Sequence, residues 1–235
     1  LPCFNDSSIG LAFGRTDLFM EQNKKKNIPI TTIPHHIYAP GSGFVFDELI
    51  CENFIGAASV LVRRKCFHSN IQFDSSFKTC GEYPLWLNLS KTWRFTHIPK
   101  IVCTWRSHSQ NVGTKLKLKA KEELVELTER FLNEESQLSK VTRATASRKG
   151  PNTRAFVIQQ ALLQRKYDLI AEAFSEGDLN QLRQYALSLL KAPEARLTLK
   201  VKSSILFFFS LFGLKLTRPL ALLKKKYWNY KRMFQ

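Results

Sequence analysis

The hydrophobic period of the sequence changes near Gly113, and that change constrains the fold more than any single motif. Before it, apolar residues come in short runs punctuated by glycine and proline, as in "IGLAFGRTDLF" (9–19), "IGAASVLVRR" (55–64) and "RFTHIPKIVCTWRSH" (94–108). Such runs read as strands bounded by turns. After it, Leu116, Ala120, Leu124, Leu127 and Phe131 recur at helical spacing, and a second helical set runs from Phe156 to Phe174. The expectation is a mixed α/β region followed by an all-α region. With 235 residues, 44% of them hydrophobic, the chain can build one large core or two small ones.

Local signals place several elements. Phe46, Leu49 and Ile50 predict a short helix capped near Asp47. The run 55–64 predicts a buried strand ended by Arg63 and Arg64, a solvated pair. In "CGEYPLWLNLSKTWRF" (80–95), Gly81 and Pro84 predict a helix that starts between Glu82 and Pro84. The stretch 94–108 predicts a strand pair or one bent strand. Asp178 reads as an N-cap, Leu179, Leu182, Ala186, Leu189 and Leu190 as one helix face, and Pro193 as its stop. The Pro- and Gly-rich stretch 28–43 reads as an extended loop, with His35 and His36 on its surface. Three regions follow: 1–113, then 114–194 with a basic Ser/Thr-rich linker near 139–153, then 195–235.

Charge is distributed unevenly. Net charge is +17, and no Asp or Glu occurs after Glu194. In the tail, 12 uncharged residues lie between Lys202 and Lys215. As a helix they would span about 18 Å, short of the roughly 30 Å hydrocarbon core. The expectation is therefore basic amphipathic helices at an anionic membrane surface, the alternative being a helix docked on the protein. Nucleic acid fits less well, because the aromatics lie within apolar runs and do not line a basic groove. The five cysteines form no C-x-x-C pair or zinc spacing and read as reduced thiols. The residues from Leu1 onward carry no charged-then-apolar pattern, so no secretory leader is expected. The reading is a cytoplasmic protein, peripheral at the inner face of the membrane, and a piece of a longer one.

One residue raises a chemical question. Glu82 is a lone carboxylate beside Tyr83, Leu85, Trp86 and Leu87. A carboxylate is costly to bury unpaired, so it is a solvated helix start, an ion-pair partner or a reacting group.

An ordered set of motifs surrounds it: Asn53, Ile55, Arg63, Arg64 and Phe67, then Phe73 and Asp74, then Glu82, Tyr83, Leu85, Trp86 and Leu87, then Ile98, Pro99, Trp105, Arg106 and His108. In order and spacing this resembles the family 2 glycosyltransferases, over roughly residues 5 to 113. The resemblance implies the acceptor-side part of a GT-A, Rossmann-like mixed sheet with flanking helices. It implies an inverting transfer of sugar from a nucleotide-sugar donor to a hydroxyl of a glycan or lipid-linked acceptor, as in cell-surface polysaccharide synthesis. Glu82 would be the general base, Tyr83, Trp86, Trp105 and Arg106 would bind substrate, and His108 would stand near the metal and diphosphate. A divalent metal, Mg or Mn, would serve the complete enzyme. The family's D-x-D metal motif does not occur in these 235 residues, and Gly81-Glu82 stands where the family has Glu-Asp. The resemblance therefore implies a part that is inactive alone. The alternative is a non-catalytic cationic module on an anionic membrane.

Overall fold

Residues Ile9–Met20 form one long strand, β1, around which a mixed four-stranded sheet is assembled. The computed structural model describes residues 2–20, 31–32, 43–67, 71–108, 110–143 and 153–213. The chain divides into two units, Leu1–Leu116 and Lys117–Gln235. Most of the loop read at 28–43, the linker at 144–152 and the tail from 214 lie outside the described residues.

In the first unit, β4 (Arg94–Ser107) runs parallel to β1 over the whole length of that strand. The other edge of β1 is shared by β3 (Val60–Val62) and β2 (Thr31–Thr32), both antiparallel. The stretch 94–108 is thus one bent strand. Its register against β1 jumps between Gly14 and Arg15 and again between Arg15 and Thr16. Pro99, which has no N–H to give a ladder, falls within the first jump. Gly14 sits where the bent strand closes in: a Cβ there would lie 2.5 Å from a Val102 methyl. The run 55–64 departs from its reading as a buried strand. Ala57–Ser59 makes a 3-10 turn, only Val60–Val62 pairs, and Leu61 is 55% exposed. Among the described residues β3 pairs with β1 alone, so its outer edge gains no second partner.

Two helices pack beside the sheet. Helix α1 (Phe46–Cys51) buries Phe46, Leu49 and Ile50, as their spacing predicts. Its cap is Val45, and Asp47 stands with Glu48 in the first turn, where carboxylates favour the positive helix end. Helix α2 (Tyr83–Ser90) starts where Gly81 and Pro84 predict. Seven of its residues are buried, so it is a core helix rather than an amphipathic surface one. Arg63 does not form a solvated strand end. Its Nε donates to the Ile9 carbonyl at 2.8 Å and its Nη2 to the carbonyls of Phe4 and Asp6, at 2.8 and 3.0 Å. It thereby pins the N-terminal turn to the sheet. A short helix, α3 (Val112–Lys115), ends the unit.

The second unit is helical: α4 (Lys117–Arg143), α5 (Thr153–Glu176), α6 (Leu179–Leu190) and α7 (Leu197–Ser210). Helix α4 continues through 139–143, where the linker was read to begin. Gly177, with φ of 81°, ends α5 in the left-handed conformation that favours glycine. The next residue caps α6, its Asp178 Oδ1 accepting from the Gln181 N–H at 3.0 Å. Leu163, Ile170, Leu182, Ala186, Leu189, Leu199 and Leu206 form the core. Arg165, 7% exposed, donates to the Thr128 hydroxyl and to the Leu124 carbonyl, joining α5 to α4. Among the described residues, no helix is long and apolar enough to cross a membrane.

Candidate functional site

A cleft of about 450 Å³ opens beside the sheet of the first unit. That size falls in the range of small-ligand sites. Thr16 of β1, Cys103 and Trp105 of β4, the Gly56–Ala58 turn, Thr79 and Glu82 ahead of α2, and Asn111–Gly113 line it. The register explains the wall. Thr16 pairs with Cys103 and Leu18 with Trp105, so alternation along two regular strands turns Thr16, Cys103 and Trp105 to one face. The Thr16 hydroxyl and the Cys103 thiol stand 3.1 Å apart.

Glu82 occupies the N-cap position of α2, yet its side chain makes no capping bond. The helix-start reading of this carboxylate thus holds for its position, without a side-chain cap. No ion pair to it is found among the described residues either. It is partly buried and lines the cleft. Trp105, half exposed at 50%, lines the same cleft and offers an aromatic surface there. Among the described residues, no Lys, Arg or His lines it.

The other site candidates lie elsewhere. Tyr83 is fully buried and its hydroxyl donates to the Leu49 carbonyl, which ties α2 to α1. Trp86 is 2% exposed, with Phe73 edge-on to it at 6.4 Å between ring centroids. Neither ring has a face open to a sugar; both serve the core. Arg106 is exposed and, one residue past Trp105, falls on the opposite face of β4. His108 is held in the turn after β4. Its backbone N–H donates to Asn111 Oδ1, its Nδ1 accepts from the Gln110 N–H at 3.2 Å, and Asn111 Nδ2 donates to the Arg106 carbonyl at 3.3 Å. The structure therefore brings Glu82 together with Trp105 and leaves Arg106 and His108 off the cleft wall.

The donors present do not fit a divalent metal. Among the described residues, no three His, Cys, Asp or Glu side chains gather as ligands, and the cleft holds a single carboxylate. Magnesium and manganese favour several oxygen ligands. Thr16, Cys103 and the Gly56–Ala58 turn went unnoticed in the sequence. Only a known β1–β4 register would have flagged the first two.

Among the described residues the cleft holds one carboxylate without a protein partner, two threonine hydroxyls, the Cys103 thiol, the Asn111 amide and an indole, and no cation. Such a set can accept a proton from, and stack against, a neutral polyhydroxylated ligand, and it carries no positive charge to offset a phosphate. No protein-family model matches the chain, and no curated protein or solved structure matches it.

Proposed function

We propose that the sheet unit is the acceptor-binding part of an inverting glycosyltransferase of the family 2 type. The observation that carries this reading is that Glu82, unpartnered among the described residues, and the Trp105 ring line one cleft to which no described residue contributes a cation. The motif order around Glu82 supports it independently. The acceptor hydroxyl gives its proton to Glu82 as its oxygen bonds to the anomeric carbon of a nucleotide sugar. The bond from that carbon to the diphosphate breaks, its electron pair leaves with the nucleoside diphosphate, and the configuration inverts. A hydroxyl is a weak nucleophile, so a positioned base contributes about 10² to 10⁴-fold. Trp105 packs against the sugar and holds the hydroxyl toward Glu82. The described residues of the cleft supply neither metal ligands nor the cations a diphosphate needs, so the donor is bound by groups other than these.

The test is release of nucleoside diphosphate by the full-length gene product, given a panel of nucleotide sugars and glycan acceptors. Glu82→Gln lowers kcat while the acceptor KM stays near the parent value, and Trp105→Ala raises that KM. A parent protein that turns over no nucleotide sugar, or a Glu82→Gln protein with full rate, ends the reading.

A further inference from the structure

Helix α7 has two apolar faces, and only one is used within its unit. Leu199, Ser203, Leu206 and Ser210 are buried, with Leu199 and Leu206 in the core formed by α5 and α6. Arg183 fastens the helix end, its Nε donating to the Ser210 hydroxyl at 3.1 Å and its Nη2 to the Ser210 carbonyl at 2.7 Å. At 3.6 residues per turn, Leu197, Val201, Ile205, Phe208 and Phe212 line up on the opposite face. They are 76, 49, 49, 55 and 55% exposed. Lys200 and Lys202 stand at the two rims of that stripe, and the Lys202 amine lies 5.6 Å from the centre of the Tyr167 ring.

The chemistry around the stripe selects its occupant. From 195 to 235 the chain carries ten Lys and Arg and no acid. A second copy would bring the same cationic segment against itself. A nucleic acid would leave an aliphatic stripe without a partner. An anionic bilayer answers both features: acyl chains take the apolar face and phosphate headgroups the lysines. We infer that α7 is an interfacial anchor, held to its own unit by the inner face while the outer stripe enters an anionic membrane surface. Its 14 residues span about 21 Å, too short to cross, so the helix lies in the plane of the headgroups. No residue of the Glu82 cleft takes part, so this anchor stands whether or not the chain transfers sugars.

The experiment is flotation of the full chain with phosphatidylcholine vesicles, with and without phosphatidylserine. The parent protein floats with the anionic vesicles, and raised salt weakens that binding. The double variant Ile205→Ser/Phe208→Ser, both positions exposed, loses about tenfold or more of the binding with an unchanged melting temperature. A double variant that binds like the parent overturns the anchor, because charge alone then holds the tail. Self-association of the parent without lipid, abolished in the variant, overturns it by assigning the stripe to a second copy. A lowered melting temperature in the variant overturns it by assigning the stripe to the chain's own interior.

Discussion

In the sheet unit, Arg15 Nε, Asp17 Oδ1, Trp86 Nε1 and His97 Nε2 are buried without a hydrogen-bond partner; in the helical unit, among the described residues, only the Ser203 hydroxyl is. The helical unit pairs its polar groups within itself: Asp178 caps α6, Arg165 meets Thr128 of α4, and the Tyr185 hydroxyl donates to Glu122 Oε1 at 2.9 Å. The sheet unit keeps buried polar atoms and a cleft carboxylate unanswered. Each such buried group costs about 1–3 kcal/mol. Costs of this kind collect where a fold serves something other than its own stability. Under the function proposed above, the first unit carries the ligand chemistry and the second supports it, although none of these four buried atoms belongs to a residue that lines the Glu82 cleft. Each assignment can be broken.

The largest expected effect separates activity from stability. Glu82→Gln should lower kcat by about 10² to 10⁴-fold while the urea midpoint hardly moves, because the carboxylate holds no protein partner. Loss of stability in place of rate would make Glu82 a structural residue and erase the contrast. The matching substitution in the helical unit does the reverse. Leu182 is fully buried in the core between α5, α6 and α7, and Leu182→Ala should cost about 2–5 kcal/mol in chemical denaturation. A cost below about 1 kcal/mol would mean that this core is loosely packed and its closure only apparent.

How much of this was legible in the sequence differs between the units for the same reason. Helical periods and caps are local: the face of α6, the Asp178 cap and the start of α2 were all readable because each signal lies within a few residues. The cleft depends on a non-local register. Trp105 lines the cleft with Glu82 and Arg106 does not, and that follows from how β4 slips past β1 at its bulges. No property of residues 94–108 taken alone fixes that slip. The short pairing of β3 was hidden likewise, since an apolar run does not say whether it sits at an edge. Tyr83 and Trp86 were read as substrate contacts and are core rings, because sequence does not distinguish a core ring from a pocket wall. For α7, a single hydrophobic stretch concealed two separate faces.

The pH dependence of the two units should diverge in opposite directions. Burial, with the Arg15 guanidinium adding to it, holds the His97 imidazole below its ordinary range. The unfolded chain takes up a proton near pH 6.5 while folded His97 resists it, so the sheet unit loses stability as pH falls below about 6.5. Tyr185 shifts the other way: burial, then the bond to Glu122, pushes its phenol up to about 12. Unfolded tyrosine ionises near pH 10, so the helical unit loses stability as pH rises from about 10 to 12. Tryptophan fluorescence reports chiefly the sheet unit, through Trp86, Trp93 and Trp105, and far-UV circular dichroism reports the helices. His97→Gln should flatten the acid limb alone and Tyr185→Phe the alkaline limb alone. A variant that flattens both limbs would show that the units unfold as one.

The smallest effect probes the cost directly. Trp86→Phe removes a buried indole N–H that meets no acceptor, which returns about 1–3 kcal/mol, and it removes ring volume, which costs a similar amount. The remaining ring can keep the edge-on contact with Phe73. The two changes nearly cancel, so the urea midpoint should shift by no more than about 1 kcal/mol, whereas a large-to-small change in a satisfied core does not cancel. A loss of about 3 kcal/mol or more would mean that the indole N–H is satisfied in solution. The sheet unit would then carry one fewer unpaired group, and its contrast with the helical unit would rest on Arg15, Asp17 and His97 alone.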